Sequence, residues 1–118
     1  MQFSDLNIDV IHTKIAGVSF EGRQEIIKIL KVGEILELRR EPDNKFDRNA
    51  IQILREMGEW PATHITQYQQ LGYINKELAA DLADAMDRGI NYICKVSSIT
   101  GEGKDLLGVN IGITKEEI

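Results

Sequence analysis

In LRREPDNKFDRNAIQIL, residues 38–54, four consecutive positions gather an aromatic ring, an acid, a guanidinium and an amide: Phe46, Asp47, Arg48 and Asn49. A carboxylate and an amide can bind backbone N–H groups or the hydroxyl of a ligand, and an aromatic beside them either fills a core or offers a flat face for stacking. Arg39, Arg40, Lys45 and Arg48 add positive charge within ten residues. The competing reading is purely local: short acids and amides in turns commonly bond the backbone next to them. On either reading Asp47 and Asn49 are expected to bond loop N–H groups, with Phe46 held outward if the loop binds a ligand.

Other residues with chemical potential lack the spacing they need. Gly101, Gly103 and Lys104 suggest a phosphate loop, but the earlier glycine and the following Ser/Thr are missing, and the segment separates two strands. Asp43, Lys45 and Asp47 put a lysine where a calcium loop requires oxygen. His12 and His64 lie far apart without a third ligand, so no metal site is expected. No serine or cysteine stands at a motif spacing from either histidine, and no catalytic residue is assigned. Cys94 is the only cysteine; in the apolar run NYICKVSSI it reads as a buried structural thiol.

The elements that must position the central loop are legible from periodicity. Pro42 disfavours helix at Glu41, while Asp43 and Asn44 favour a turn, so the loop joins two strands, EILELRRE and AIQILRE. Upstream, the stretch from Ile8 to Val18 reads as a strand, and RQEIIKILKVG as a short helix ending at Gly33. Downstream, Met57 to Gln70 shows no sustained period and contains Gly58 and Pro61; it reads as a long connection anchored by Trp60, Ile65 and Tyr68. LGYI follows as a short strand. NKELAADLADAMDRG is an amphipathic helix with Asn75 as N-cap, Leu78, Leu82, Ala85 and Met86 as its apolar stripe, and Gly89 as its stop. Two alternating runs, NYICKVSSIT and DLLGVNIGIT, form a closing hairpin around GEGK, with Leu107, Val109, Ile111 and Ile113 on one face. Six strands and two helices give an α+β, mainly β architecture, a bent sheet or barrel.

The 118 residues fit one domain, with 57–70 as an insertion loop. No apolar run approaches the roughly 18 residues of a membrane span, and the first residues lack a secretory pattern, so a cytoplasmic protein without a membrane partner is expected. A net charge of −5 argues against a non-specific nucleic-acid coat. The charge is segregated, however, with Asp81, Asp84 and Asp87 grouped on the second helix.

Three stretches together, GVSFEGRQ at 17–24, LRREPDNKFDRNAIQI at 38–53 and LGYINKELAADLADAMDRG at 71–89, resemble the HIRAN domain. The specific elements are the loop pattern R-x-P-x-N-x-(Y/F)-D-x-N-A-I and the helix start G-(Y/H)-(I/L)-x-K-E-L-A. The likeness covers about 14–113. That family occurs as an N-terminal module of some eukaryotic DNA-remodelling ATPases and as small stand-alone bacterial proteins. The resemblance implies an OB-like barrel with two flanking helices; no cofactor is expected. It also implies capture of a single-stranded DNA end, the 3′ end, in a repair or replication setting. Carried over by position, it makes Phe46 the central aromatic of the DNA pocket, Asp47 the adjacent acid, Tyr73 the residue at the histidine position before the second helix, and Lys76 the retained lysine; Phe20, Arg23 and Arg48 complete the candidate DNA contacts. In the first loop the chain departs from the pattern: Ser19, Phe20 and Glu21 stand where an arginine and two aromatics are expected, which leaves Arg23 as the candidate phosphate clamp and Glu21 as a repelling charge. The alternative is a protein-interaction domain that keeps the barrel without DNA binding.

Overall fold

The computed structural model describes residues 9–20, 22–60, 64–103 and 105–116, with Glu59 and Trp60 described by backbone alone. Six strands, β1 Ile11–Lys14, β2 Ile35–Arg40, β3 Ile51–Trp60, β4 Ile65–Tyr73, β5 Tyr92–Thr100 and β6 Gly108–Lys115, form one antiparallel sheet in the order β1-β6-β5-β2-β3-β4. Two helices interrupt them, α1 Arg23–Ile27 and α2 Lys76–Asp87.

The two ends of that order meet. Just beyond β1, Ala16 pairs with Tyr73 at the end of β4; the Ala16 N–H donates to the Tyr73 carbonyl at 2.8 Å and the Tyr73 N–H to the Ala16 carbonyl at 2.9 Å. This seam bends the sheet into an OB-like barrel and satisfies backbone groups at both edges. Alternation along the strands fills the interior: Leu36, Ile51, Ile53, Leu71, Cys94, Val96, Val109, Ile111 and Ile113 are buried, and Ile27 of α1, Leu30 just beyond it, and Leu82 and Ala83 of α2 close the core.

The expected capping of α2 is present, with the Asn75 side chain accepting from the Leu78 N–H at 3.0 Å. Its acids Asp81, Asp84 and Asp87 are exposed. Three boundaries differ from expectation. β1 is confined to Ile11–Lys14. α1 stops at Ile27 because the chain tightens into i−3 bonds, Ile29 N–H to the Ile26 carbonyl and Leu30 N–H to the Ile27 carbonyl. The largest correction concerns 57–70. It is not a long connection but the outer part of the β3–β4 hairpin, paired from Glu56↔Tyr68 to Trp60↔Ile65 with bulges between Ile53 and Leu54 and between Glu56 and Gly58. This part projects past the core, with Met57, Ile65 and Tyr68 exposed. Solvent on both faces removes the apolar alternation by which strands are read. Residues 61–63 and the Trp60 side chain, expected as an anchor, lie outside the described residues. Among the described residues no helix is long and apolar enough to cross a membrane.

Candidate functional site

The central loop is built on Asn44. Its Oδ1 accepts from the N–H of Phe46 at 2.9 Å and of Asp47 at 3.0 Å, an Asx-type turn that fixes the backbone on both sides of the Phe46 side chain. Asp47 continues the pattern, its Oδ1 accepting from the Asn49 N–H at 2.9 Å. The ladder resumes where the Ala50 N–H donates to the Asp47 carbonyl and the Glu41 N–H to the Ala50 carbonyl. The expected stapling therefore exists for Asp47, but Asn44 supplies the second staple and Asn49 does not. The signal lay in the sequence, since an Asx residue two positions before Phe46 and three before Asp47 is the spacing such a turn needs.

Held this way, Phe46 is 93% exposed, and Phe20 in the loop before α1 is 62% exposed. Two concavities lie beside these rings. One, of about 320 Å³, is lined by Asn44, Phe46, Asp47, Ala50, Tyr73, Ile74 and Lys76. The second, of about 410 Å³, shares Asn44, Phe46 and Tyr73 and adds Ala16, Gly17, Phe20 and Arg23. The site thus straddles the barrel seam. Close backbone approach there depends on Gly72, where a Cβ would come within 2.2 Å of the Ala16 carbonyl oxygen. Gly17, at φ 77°, turns the chain into the Phe20 loop, and a Cβ on it would meet Arg23 Nη1 at 2.9 Å.

A polar chain runs beneath the two rings. Arg23 Nη1 donates to the Gly17 carbonyl at 2.6 Å, Nη2 donates to Gln70 Oε1, and the guanidinium lies 5.8 Å from the Tyr73 ring centroid. The Tyr73 hydroxyl donates to Glu41 at 2.9 Å, and Asn44 Nδ2 donates to the same carboxylate at 2.6 Å. Burial, followed by the bond to Glu41 and the negative charge of that carboxylate, pushes the Tyr73 hydroxyl above its usual pKa. Glu41 and Gln70 were absent from the residues singled out by sequence, because their role depends on a partner far along the chain.

Of the seven candidate residues, Phe20, Arg23, Phe46, Asp47, Tyr73 and Lys76 line these two concavities, while Arg48 is exposed and lines neither. Arg23 is only 8% exposed, and its guanidinium holds the first loop to β4 as well as facing the cavity. Lys76 is exposed and has no hydrogen bond or ion pair among the described residues. The expected basic cluster is divided. Arg39 bonds Glu37 and stacks on Tyr68, its guanidinium 4.5 Å from the ring centroid, and Arg40 bonds Asp87 and the carbonyls of Arg48 and Ala50. Lys45 and Arg48 stay exposed. Glu21 lies outside the described residues.

Comparison with known proteins gives this geometry a family. The HIRAN domain pattern matches residues 8–112. A 65-residue stretch, 55% of the chain, is 37% identical to the helicase-like transcription factor of Oryctolagus cuniculus and spans 6% of that much longer protein. Among solved structures, a protein from Lactobacillus plantarum superposes with a TM-score of 0.66 at 20% identity, covering 92% of this chain and 97% of that one. The HIRAN domain of human HLTF superposes with a TM-score of 0.64 at 22% identity, covering 90% and 74%. These two likenesses are of fold. With the loop pattern, the seam and the matched span in agreement, the chain belongs to the HIRAN domain family.

Proposed function

We propose that this chain is a DNA-binding module that captures the end of a single strand, the 3′ end, at the barrel seam. Membership of the HIRAN family supports DNA binding in general. The observation that carries the finer reading is Phe46, fully outside the core yet fixed by two bonds to Asn44. A phenyl ring left in water forgoes burial worth about 1.5–3 kcal/mol, while a base stacked on it contributes about 1–3 kcal/mol. Phe20 supplies a second aromatic face across the cavity.

Polar groups complete the assignment. Asp47 uses Oδ1 within the loop and leaves Oδ2 without a partner among the described residues, available to a terminal sugar hydroxyl. Lys76 at the first turn of α2 offers an ammonium to phosphate, while Arg23 holds the first loop in place and contributes positive potential from below. On this reading the module serves DNA repair or replication. The site as described binds and orients; no catalytic step is assigned to it.

The net charge of −5 and the acids of α2 favour a second reading, a protein-interaction domain whose exposed rings dock on an apolar or basic partner. Titrating a fluorescent linear single strand with a free 3′-hydroxyl separates the two. Saturable binding that Phe46→Ala weakens at least about tenfold supports end capture; no binding at high protein concentration favours the second reading.

A further inference from the structure

The outer face of β1, β6 and β5 differs from the rest of this acidic protein. No carboxylate occurs in any of these three strands, IHTK, GVNIGITK and YICKVSSIT, yet on this face they carry His12, Lys14 and Lys95. Residues paired across a sheet point to the same side. One cross-strand row is His12↔Gly112↔Lys95, and the next is Lys14↔Asn110↔Ser98. At Gly112 the missing side chain lets Val10 and His12 lie close over β6, since a Cβ there would be 3.2 Å from Val10 Cγ1 and 3.8 Å from His12 Nδ1, and a trough opens beside them toward Lys95. In the second row Asn110 Nδ2 donates to Ser98 Oγ at 2.7 Å. The β5 bulge between Val96 and Ser98 adds Ser97 to the rim.

Two cavities mark the trough. One of about 420 Å³ is lined by His12, Thr13, Lys14, Ser97, Ser98 and Asn110. A neighbouring one of about 370 Å³ shares His12 and Ser97 and includes Lys95 and Gly112. Lys14 and Lys95 are exposed and make no hydrogen bond or ion pair among the described residues. On the adjoining strand, the carboxylate of Glu37 is engaged by Arg39 at 2.6 Å. Unpaired ammonium groups beside hydroxyl and amide donors, in strands without acids, form a surface complementary to phosphate.

Its position gives it an occupant. β1 runs from His12 and Lys14 directly to Ala16, which lines the aromatic cavity at the seam; four residues of extended chain span roughly 13 Å. We infer that this trough is a second, phosphate-binding surface that takes the phosphodiester backbone of a nucleic-acid strand whose end sits beside Phe46. The inference rests on the end-capture reading and extends it from a terminal pocket to a tracked strand.

The test compares single strands of about four and about twelve nucleotides, the short one filling the seam and the long one reaching the trough. Both are titrated over a range of salt against the wild type and the exposed pair Lys14→Gln with Lys95→Gln. The short strand should bind both proteins equally. The long strand should bind the double variant more weakly, with a log K against log salt slope smaller by about 1.4, since each single-strand phosphate contact contributes about 0.7. An unchanged slope and affinity for the long strand overturns the trough while leaving end capture standing. An equal loss on Lys28→Gln with Arg88→Gln, which removes the same charge from α1's flank and α2's end, overturns it as a mere net-charge effect. If neither strand binds the wild type, end capture fails and the trough fails with it.

Discussion

The Tyr73 hydroxyl donates to the Glu41 carboxylate at 2.9 Å across 32 positions of sequence, tying the barrel seam to the start of the central loop. Removing that hydroxyl leaves Glu41 with Asn44 as its remaining side-chain donor. Tyr73→Phe should cost about 1–2 kcal/mol, as for a partly solvated bond to a charged group. The raised pKa of Tyr73 fixes the sign of the pH dependence. Its stabilisation is complete below the ordinary value of 10.0 and is lost as pH rises through the higher folded value. Urea unfolding should therefore show the gap between wild type and Tyr73→Phe closing only above about pH 10. A gap that closes near neutrality contradicts the bond.

Asn44 and Phe46 should separate stability from binding. Phe46→Ala removes a ring outside the core and should change stability by less than about 0.5 kcal/mol, against the 3–5 kcal/mol of a core phenylalanine. Asn44→Ala frees the N–H groups of Phe46 and Asp47 and should cost about 1–2 kcal/mol while also weakening the ligand. Thermal melts of the two variants check the order; a large loss with Phe46→Ala would mean that the ring packs into the protein.

Arg40 holds the carboxyl of Asp87 below the usual carboxylate range through a bond of 2.9 Å. A depressed folded pKa gives stability that is present above the unfolded value of 3.8 and disappears as pH falls through the folded value. Asp87→Asn should therefore flatten part of the acid limb of the stability curve and leave its alkaline limb unchanged. An altered alkaline limb would contradict the assignment.

Cys94 is fully buried, and burial pushes its thiol up to about 12. Iodoacetamide at mildly alkaline pH should leave it unmodified in the native protein and label it at the rate of unfolding. Faster labelling would show that β5 opens locally.

Much of this fold was legible because the chain obeys simple periods where a core exists. Asn75, the apolar stripe of α2 and the alternation through Ile113 each read correctly, since burial on one side imposes a pattern. The β3–β4 hairpin failed the same test because Met57, Gln67 and Tyr68 are exposed on its outer part, where no core imposes a period. At the site, Phe46, Asp47, Tyr73 and Lys76 came from the family pattern and meet at one cavity. Arg23 emerged with a second duty, and Glu41 and Gln70 were invisible because a hydrogen bond between distant residues leaves no local period.

The central claim is that the seam reads a free strand end, with a terminal hydroxyl accepted by Asp47 beside Phe46. Fluorescence anisotropy at moderate salt should compare one short oligonucleotide with a 3′-hydroxyl, the same oligonucleotide with a 3′-phosphate, and a circular single strand. Two unit charges 4 Å apart at an effective dielectric of about 20 repel by about 4 kcal/mol, so the phosphate placed against Asp47 should reduce affinity by well over about tenfold. The circle should bind as poorly as the phosphorylated strand, and Phe46→Ala should abolish the preference for the hydroxyl. Equal affinity for all three would contradict end capture.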